Sequence, residues 1–268
     1  MSEKAAILRK LHAGPKILVL PNAWDVASAR IFETAGFPAI ATTSAGVANS
    51  LGYPDGQSIS RDEMLDVVRR ISRAVAIPVT ADMESGYGDA LRTALGVVDA
   101  GAVGMNLEDC TEKTAESLID LATQCKIIEA IRARTDLVIN ARTDVFLRSV
   151  GDPATRVDLA IERLNAYRNA GADSLFAPGV SDAETIGKLA RAVNGPLNIL
   201  AVAGTPPVAE LQRLGVARVS VGSGPMRATM GLTQRIAREL LESGTYSSFT
   251  DGALIYTDAN RLFRSATG

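Results

Sequence analysis

The chain has 268 residues, of which 47% are hydrophobic and 22% charged, with a formal net charge of −2. The length suits one large domain, and the composition is that of a globular protein with a sizeable core. The near-neutral charge, without a Lys/Arg cluster, argues against nucleic-acid binding. No apolar run approaches the ~20 residues that span a bilayer, which argues against a membrane protein.

Cysteine and histidine are scarce, with only Cys110, Cys125 and His12 in the chain. Two cysteines do not suggest a disulfide framework, and residues 1–6 lack a secretory pattern, so we expect a cytoplasmic protein. His12 falls in a helix-like opening segment far from any motif. A histidine-based catalytic or metal site is therefore not expected.

Short apolar runs alternate with amphipathic stretches along the chain. Their apolarity is typical of parallel strands buried on both faces. The predicted strands are Ile17–Leu20, Ala39–Thr42, Pro78–Ala81, Val103–Leu107, Leu137–Ala141, Ser174–Ala177, Asn198–Val202 and Arg218–Val221. The predicted helices are Val26–Ala35, Arg61–Ala74, Leu91–Ala100, Ser117–Arg134, Ala154–Ala170, Asp182–Ala192, Val208–Leu214 and Met226–Glu242.

Eight such alternations predict a single (β/α)8 TIM barrel over residues 1–244. We expect residues 245–268 to form a C-terminal helical tail that packs on its own subunit or is exchanged with a neighbour. The alternative is an open doubly wound sheet. A G-x-G-x-x-G motif after the first strand, which would indicate a dinucleotide site, is absent.

In such a barrel, functional side chains collect where strands end, at the C-terminal face. Asp82 and Glu84 follow the third predicted strand, and Glu108 and Asp109 follow the fourth. Residues two apart in a strand point to one side, and adjacent strands lie about 4.8 Å apart, so these carboxylates can converge. An oxygen-rich cluster without His or Cys favours Mg²⁺, or Mn²⁺, over Zn²⁺.

Two further features follow neighbouring strands. Arg142 ends the fifth strand and offers a planar fork that can bind a carboxylate bidentately. The small residues Thr43–Gly46 end the second strand and offer backbone N–H groups to an oxyanion. Structural interpretations also exist for several polar residues: Asp25 and Asp89 as helix N-caps, Asp144 as a support for Arg142, and Asn22 as a turn residue.

From Leu20 to about Gly244 the chain resembles the isocitrate lyase/phosphoenolpyruvate mutase superfamily. Each motif is weak alone, but six in order at barrel strand ends are a strong signal together. The motifs are Pro21-Asn22-Ala23-Trp24-Asp25, Thr42–Ala48, Leu51-Gly52-Tyr53-Pro54-Asp55, Asp82–Gly88, Asn106-Leu107-Glu108-Asp109 and Asn140–Asp144.

The resemblance implies a Mg²⁺-binding barrel that stabilises an enolate of pyruvate or a similar 2-oxo acid. It also implies a homo-oligomer, commonly a tetramer with exchanged final helices. The implied metal residues are Asp82, Glu84 and Glu108, acting mostly through water. The implied catalytic residues are Asp55, Arg142 and Thr43, and the implied substrate-binding residues are Trp24, Thr43, Ser44, Ala45, Gly46, Asp82 and Arg142.

Two departures from the superfamily pattern shape the predicted function. Asp82-Met83-Glu84 stands where relatives carry Asp-x-Asp, and the stretch from Cys110 to Glu116 lacks the Gly and His of the lyase Lys-x-Cys-Gly-His loop. We therefore predict a Mg²⁺-dependent lyase that cleaves a C–C bond in, or decarboxylates, a small 2-oxo or 2-hydroxy carboxylate through an enolpyruvate-like intermediate. The alternatives are a phosphonopyruvate-type P–C mutase or hydrolase and a noncatalytic 2-oxo-acid-binding barrel.

Overall fold

The computed structural model describes residues 2–110 and 118–264. Its strands are β1 (Leu18–Leu20), β2 (Asn22–Ala23), β3 (Ile40–Thr42), β4 (Val79–Asp82), β5 (Gly104–Glu108), β6 (Val138–Arg142), β7 (Ser174–Phe176), β8 (Leu197–Leu200) and β9 (Arg218–Ser220). All pairings are parallel, in the order β1-β9-β8-β7-β6-β5-β4-β3-β2. The alternation of these strands with helices confirms the predicted (β/α)8 barrel.

The helices alternate with the strands. Those of the described residues are α1 (Glu3–His12), α2 (Val26–Thr34), α3 (Ser44–Ser50), α4 (Arg61–Ala74), α5 (Ala90–Asp99), α6 (Leu121–Arg134), α7 (Arg156–Asn169), α8 (Ala183–Ala192), α9 (Val208–Arg213), α10 (Gly224–Glu242), α11 (Ser247–Thr250) and α12 (Tyr256–Arg261). The predicted start of the α6 helix at Ser117 lies outside the described residues. No helix in the described residues is long and apolar enough to cross a membrane.

The first predicted strand is two short strands, because Pro21 has no N–H to donate to a ladder. β1 pairs with β9 and β2 pairs with β3, so the interruption lies at the seam of the barrel. The side chain of Asn22 joins the two sides. Its Oδ1 accepts from the backbone N–H groups of Val221 and Gly222, both at 2.9 Å, and its Nδ2 donates to the Thr42 carbonyl at 2.8 Å. Asn22 therefore closes the barrel, a larger role than the turn residue predicted.

Local signals in the sequence set the helix starts. Ser60 and Glu63 form the predicted capping box of α4, with the Ser60 hydroxyl accepting from the Glu63 N–H. Asp25 caps α2 by accepting from the Ser28 N–H at 2.7 Å. Asp89 caps α5 in the same way. The predicted structural interpretations of Asp25 and Asp89 are thus confirmed.

Helix α1 covers the N-terminal ends of the strands. Its Leu8 is fully buried and packs in one cluster with Leu18, Leu20 and Val138. His12, at the end of the same helix, is also buried. The centre of this end of the barrel is thus filled with side chains, whereas the predicted site residues follow the opposite, C-terminal ends of the strands.

Candidate active site

A cavity of about 220 Å³ opens at the C-terminal ends of the strands. It is lined by Asn22, Thr43, Ser44, Ala45, Asp55, Asp82, Asn106, Arg142, Leu147, Phe176, Pro178, Leu200, Ser220, Gly222 and Ser223. Six residues predicted for the site thus line one cavity: Thr43, Ser44, Ala45, Asp55, Asp82 and Arg142. Trp24, Gly46, Glu84 and Glu108 do not belong to this lining, and their contacts assign them to the surrounding layer.

Asp82 occupies the centre of the hydrogen-bond network at the cavity. Its Oδ2 accepts from the backbone N–H of Ser44 at 3.0 Å and from the Ser44 hydroxyl at 2.9 Å, and its Oδ1 accepts from Asn106 Nδ2 at 3.3 Å. The Asp82 N–H donates to Thr42 Oγ1 at 2.8 Å. Both carboxylate oxygens are therefore oriented by neighbouring strands before any ligand binds.

The segment after β3 begins the short helix α3, which is not among the helices predicted from the sequence. Thr43 is its N-cap and accepts from the Gly46 N–H at 3.4 Å. A side chain at Gly46 would place its Cβ 2.6 Å from Thr43 Cγ2 and 3.0 Å from Trp24 Cβ, so the close packing here requires glycine. Trp24 and Gly46 thus shape the wall behind Thr43–Ala45.

The carboxylate of Glu84 holds a neighbouring turn. Its Oε1 accepts from the Gln57 backbone N–H at 3.1 Å and from the Tyr87 hydroxyl at 3.2 Å, and Gln57 Nε2 donates to Ser85 Oγ at 2.7 Å. Gln57, Glu84 and Tyr87 all have φ between 51° and 56°, in the left-handed region. Such backbone strain persists where the surroundings hold it, often at functional sites. The contacts join the turn that carries Asp55 to the segment after β4.

Arg142 lies between two acidic residues. Its Nε and Nη2 donate to the two oxygens of Asp144 at 2.5 and 2.9 Å, and its Nη1 lies 2.7 Å from Glu108 Oε2. Burial alone would lower the pKa of Arg142, but Glu108 and Asp144 raise it above its ordinary value. Burial raises the pKa of Glu108, and Asp144, Asp82 and Glu84 add to this effect while Arg142 opposes it. The predicted support of Arg142 by Asp144 is confirmed.

The adjacent acids Glu108 and Asp109 point to opposite sides of β5 and its extension. Asp109 is fully buried on the outer side. Its Oδ2 accepts from Thr143 Oγ1, Arg163 Nε and the Tyr167 hydroxyl at 2.7 to 2.8 Å, and its Oδ1 accepts from the Asp144 N–H at 2.9 Å. With these partners Asp109 is a structural anchor between the barrel and its helices, and Glu108 alone of the pair faces the site.

The floor of the cavity is a polar layer that the sequence analysis missed. Ser174 Oγ donates to Asn140 Oδ1 at 2.6 Å, Asn140 Nδ2 donates to Asn106 Oδ1 at 2.8 Å, and Arg218 Nη2 donates to that same oxygen at 3.5 Å. These four residues each lie two positions before an inward-facing residue at the C-terminal end of the same strand. The two-residue period of strands could have revealed them.

The acidic side chains suit a divalent cation held largely through water. Hard cations such as Mg²⁺ prefer oxygen ligands and keep several of their waters. Asp82 lines the cavity, and the charges of Asp82 and Glu84 reach Glu108 closely enough to raise its pKa. Within residues 2–110 and 118–264, no three His, Cys, Asp or Glu side chains are arranged to hold a metal directly. The donor chemistry of these residues therefore fits Mg²⁺ bound largely through its waters.

Comparison with known proteins supports the family resemblance. A family model described as phosphoenolpyruvate phosphomutase matches residues 8–241. A 2-methylisocitrate lyase from Aeropyrum pernix is 31% identical over 259 residues, covering 91% of this chain and 82% of that protein. An oxaloacetate decarboxylase from Rhodopseudomonas palustris is 37% identical over 203 residues, covering 71% of this chain and 68% of that protein. A candidate lyase/mutase from Burkholderia cenocepacia has a structure with TM-score 0.90 at 38% identity, covering 98% of this chain and 96% of that one.

Proposed function

The chain belongs to the phosphoenolpyruvate phosphomutase family, and we propose that it is a Mg²⁺-dependent lyase acting on a small 2-oxo or 2-hydroxy carboxylate. The superfamily predicted from the motifs is confirmed, as is the prediction of a lyase-type enzyme of that superfamily. The proposal adds the metal, the substrate class and the residues that bind them.

One observation carries the proposal: Asp82, Ser44 and Arg142 converge on a cavity of about 220 Å³. That volume suits a small acid. Arg142 supplies the cationic group, and the first turn of α3 supplies the Ala45 backbone N–H, since the N–H groups of Ser44 and Gly46 donate to Asp82 and Thr43. An anion bound between them would lie next to the carboxylate of Asp82.

We assign the metal to Asp82, with Glu84 and Glu108 contributing through water. A bound divalent cation would neutralise negative charge that develops on a substrate oxygen. The carboxylates do not need to move for this role, because Asp82 is fixed by Ser44 and Asn106, and Glu84 by Gln57 and Tyr87.

Arg142 has N–H groups left for a substrate. A guanidinium carries five N–H donors, and the contacts with Asp144 and Glu108 use one on each of its three nitrogens. One N–H therefore remains on Nη1 and one on Nη2, and these can donate to a substrate carboxylate. Asp144 and Glu108 hold this fork in place at the wall of the cavity.

The remaining residues of the cavity wall would orient the substrate and transfer a proton to or from it. The Ala45 N–H, in the first turn of α3, would donate to the oxygen on which charge develops, and Thr43 fixes this turn as its N-cap. Preorganised donors of this kind each contribute about 3–4 kcal/mol to lowering a barrier. Asp55 lines the same cavity and would exchange a proton with the substrate at the reacting carbon.

The decisive measurement is product release with and without Mg²⁺: pyruvate from oxaloacetate or 2-methylisocitrate, glyoxylate from isocitrate, and pyruvate or phosphoenolpyruvate from phosphonopyruvate. We expect metal-dependent release from a C–C substrate. Release from phosphonopyruvate alone would replace the proposal with P–C chemistry. Binding of oxalate without turnover of any of the four would instead support a noncatalytic 2-oxo-acid-binding barrel.

A matched pair of variants tests the metal assignment. Asp82→Asn keeps the shape of the side chain but removes the charge, and should lower Mg²⁺-dependent turnover on the order of 100-fold or more. Asp62→Asn is the control, because Asp62 has the same chemistry on an exposed face, with 81% of its side chain accessible. Full activity in Asp82→Asn would exclude Asp82 as a metal ligand.

We also propose that the chain is a homo-oligomer, a tetramer by the family expectation, assembled through the C-terminal end of α10 and the tail that follows it. The exposed apolar residues of this region include Leu241 and Tyr256, which are 87% and 84% accessible. Single apolar residues at a surface are ordinary, but these stand with Tyr246, Leu254 and Ile255 in one segment. Light scattering of the wild type and of Leu241→Ser would test this, and a monomeric wild type would exclude it.

A further inference from the structure

Arg218 lies inside the barrel, beneath the floor of the cavity. It is 1% exposed and lies two residues before Ser220 on β9. Side chains two apart in a strand point to the same face, and Ser220 lines the cavity. The guanidinium of Arg218 is therefore on the inner side of the barrel, in the layer below the substrate cavity.

Arg218 has few partners for a buried cation. In the part of the chain that the structure describes, no carboxylate forms an ion pair with it, its hydrogen bond is the 3.5 Å contact of Nη2 with Asn106 Oδ1, and its Nε has no partner. Buried charges in proteins are ordinarily paired, because leaving one unpaired is strongly unfavourable. Burial lowers the pKa of Arg218 to about 9, and Asp82 is the acidic group that opposes this effect.

Asn106 connects this cation to the site. Its Oδ1 accepts from Arg218 and Asn140, which leaves Nδ2 to donate to Asp82 Oδ1. The amide is thus fixed in one orientation mainly by Asn140 at 2.8 Å, and the longer 3.5 Å contact of Arg218 favours the same orientation. A guanidinium at the other end of this amide both orients Asp82 and adds positive charge under the cavity.

We propose that Arg218 is the cationic floor of the substrate site, a positioning and specificity residue that orients Asp82 through Asn106 and favours dianionic ligands in the cavity above it. The same charge weakens the binding of a free cation at Asp82. This inference rests on the proposed function, because it uses the metal and the carboxylate substrate assigned there.

The test uses the full-length chain and two probes of opposite charge, Mn²⁺ alone and oxalate alone, by calorimetry. Arg218→Met removes the charge, and Arg213→Met, at an exposed arginine of α9, is the matched control. For Arg218→Met we expect Mn²⁺ to bind more tightly and oxalate more weakly, each on the order of tenfold, since the Coulomb interaction changes sign with the ligand. Arg213→Met should leave both affinities close to those of the wild type.

Opposite shifts identify a charge effect, because a distorted site would weaken both ligands together. Equal weakening of both ligands, or no change in either, would overturn the proposal. Asn198→Asp is the second variant should Arg218→Met fail to fold. Asn198 and Arg218 are strand neighbours, and a carboxylate there would neutralise the cation while retaining it, with the same expected shifts. Absence of Mn²⁺ binding in the wild type would count against the proposed function, while the metal-free oxalate ratio decides the role of Arg218.

Discussion

Two inward-facing arginines of the same barrel have opposite environments. Arg142, at the top of β6, contacts Glu108 and Asp144, and these acids raise its pKa. Arg218, one layer lower on β9, contacts only the neutral Asn106 among its described hydrogen-bond partners, and burial lowers its pKa to about 9. Burial acts on both in the same direction, so the difference comes from the acids alone. The upper arginine is held by its partners, whereas the lower one leaves its charge available to the cavity.

The largest expected effect comes from breaking the upper cluster. Arg142→Met would leave the buried carboxylates of Glu108 and Asp144 without their cation. Removing one partner of a buried ion pair typically destabilises a protein by about 3–5 kcal/mol. We expect a loss of that order in the free energy of unfolding by urea, together with loss of activity.

The unfolding free energy of Arg142→Met is to be compared with that of Arg218→Met. Because it removes an unpaired buried charge, its unfolding free energy should be equal to or above that of the wild type. Equal destabilisation by the two substitutions would show that both arginines are structural and that the contrast between their layers is not functional.

The strands and helices of the barrel could be predicted from the sequence, but the charge environments of Arg142 and Arg218 could not. Strand and helix bounds agree with the structure to within a residue or two at most ends, because buried apolar runs and capping residues such as Ser60 and Asp25 act locally. The seam at Pro21 was missed. Whether a proline divides a strand in two depends on how the residues before and after it pair with neighbouring strands, and the sequence alone does not show this pairing.

The candidate site was predicted only in part, because strand-end positions can be read from the sequence but the directions of the side chains cannot. Strand-end position was enough to find Asp82, Arg142 and Thr43, which line one cavity. It could not separate Glu108 from Asp109, since adjacent residues at the end of a strand face opposite ways and the direction depends on register. Nor could it find Arg218, because a charged residue at the start of a predicted strand is ordinarily exposed.

A second, smaller effect concerns His12, at the N-terminal end of the barrel, because the charge of Arg218 affects its pKa. Burial lowers the pKa of His12 to about 4, and the charge of Arg218 adds to this. The folded protein therefore keeps His12 neutral, whereas the unfolded chain protonates it below its ordinary pKa of 6.5. Stability from this group is complete above pH 6.5 and is lost as the pH falls toward 4, on the order of 3 kcal/mol in all.

The prediction is directly measurable because His12 is the sole histidine of the 268 residues. Its imidazole resonance in NMR spectra needs no assignment by mutation. In Arg218→Met the pKa of His12 should rise, while in Arg142→Lys, where the upper charge is retained, it should stay near 4. An unchanged His12 pKa in Arg218→Met would show that the lower cation does not act across the barrel.

The smallest expected effect comes from giving the lower arginine an acidic partner like those of the upper one. Asn198 is the strand neighbour of Arg218, its Oδ1 has no hydrogen-bond partner in the described residues, and its Nδ2 donates to Ser220 Oγ at 3.3 Å. Asn198→Asp has the same shape, and the Ser220 hydroxyl can turn to donate to it. Since desolvation and attraction nearly cancel in a buried ion pair, the unfolding free energy should change by only about 1 kcal/mol or less. Both arginines would then have an acidic partner. We expect the affinity for oxalate to fall while the unfolding free energy stays nearly constant, so the variant would distinguish an effect on ligand binding from an effect on stability. A large gain in stability with unchanged oxalate affinity would mean that the unpaired charge of Arg218 has no role in the cavity above it.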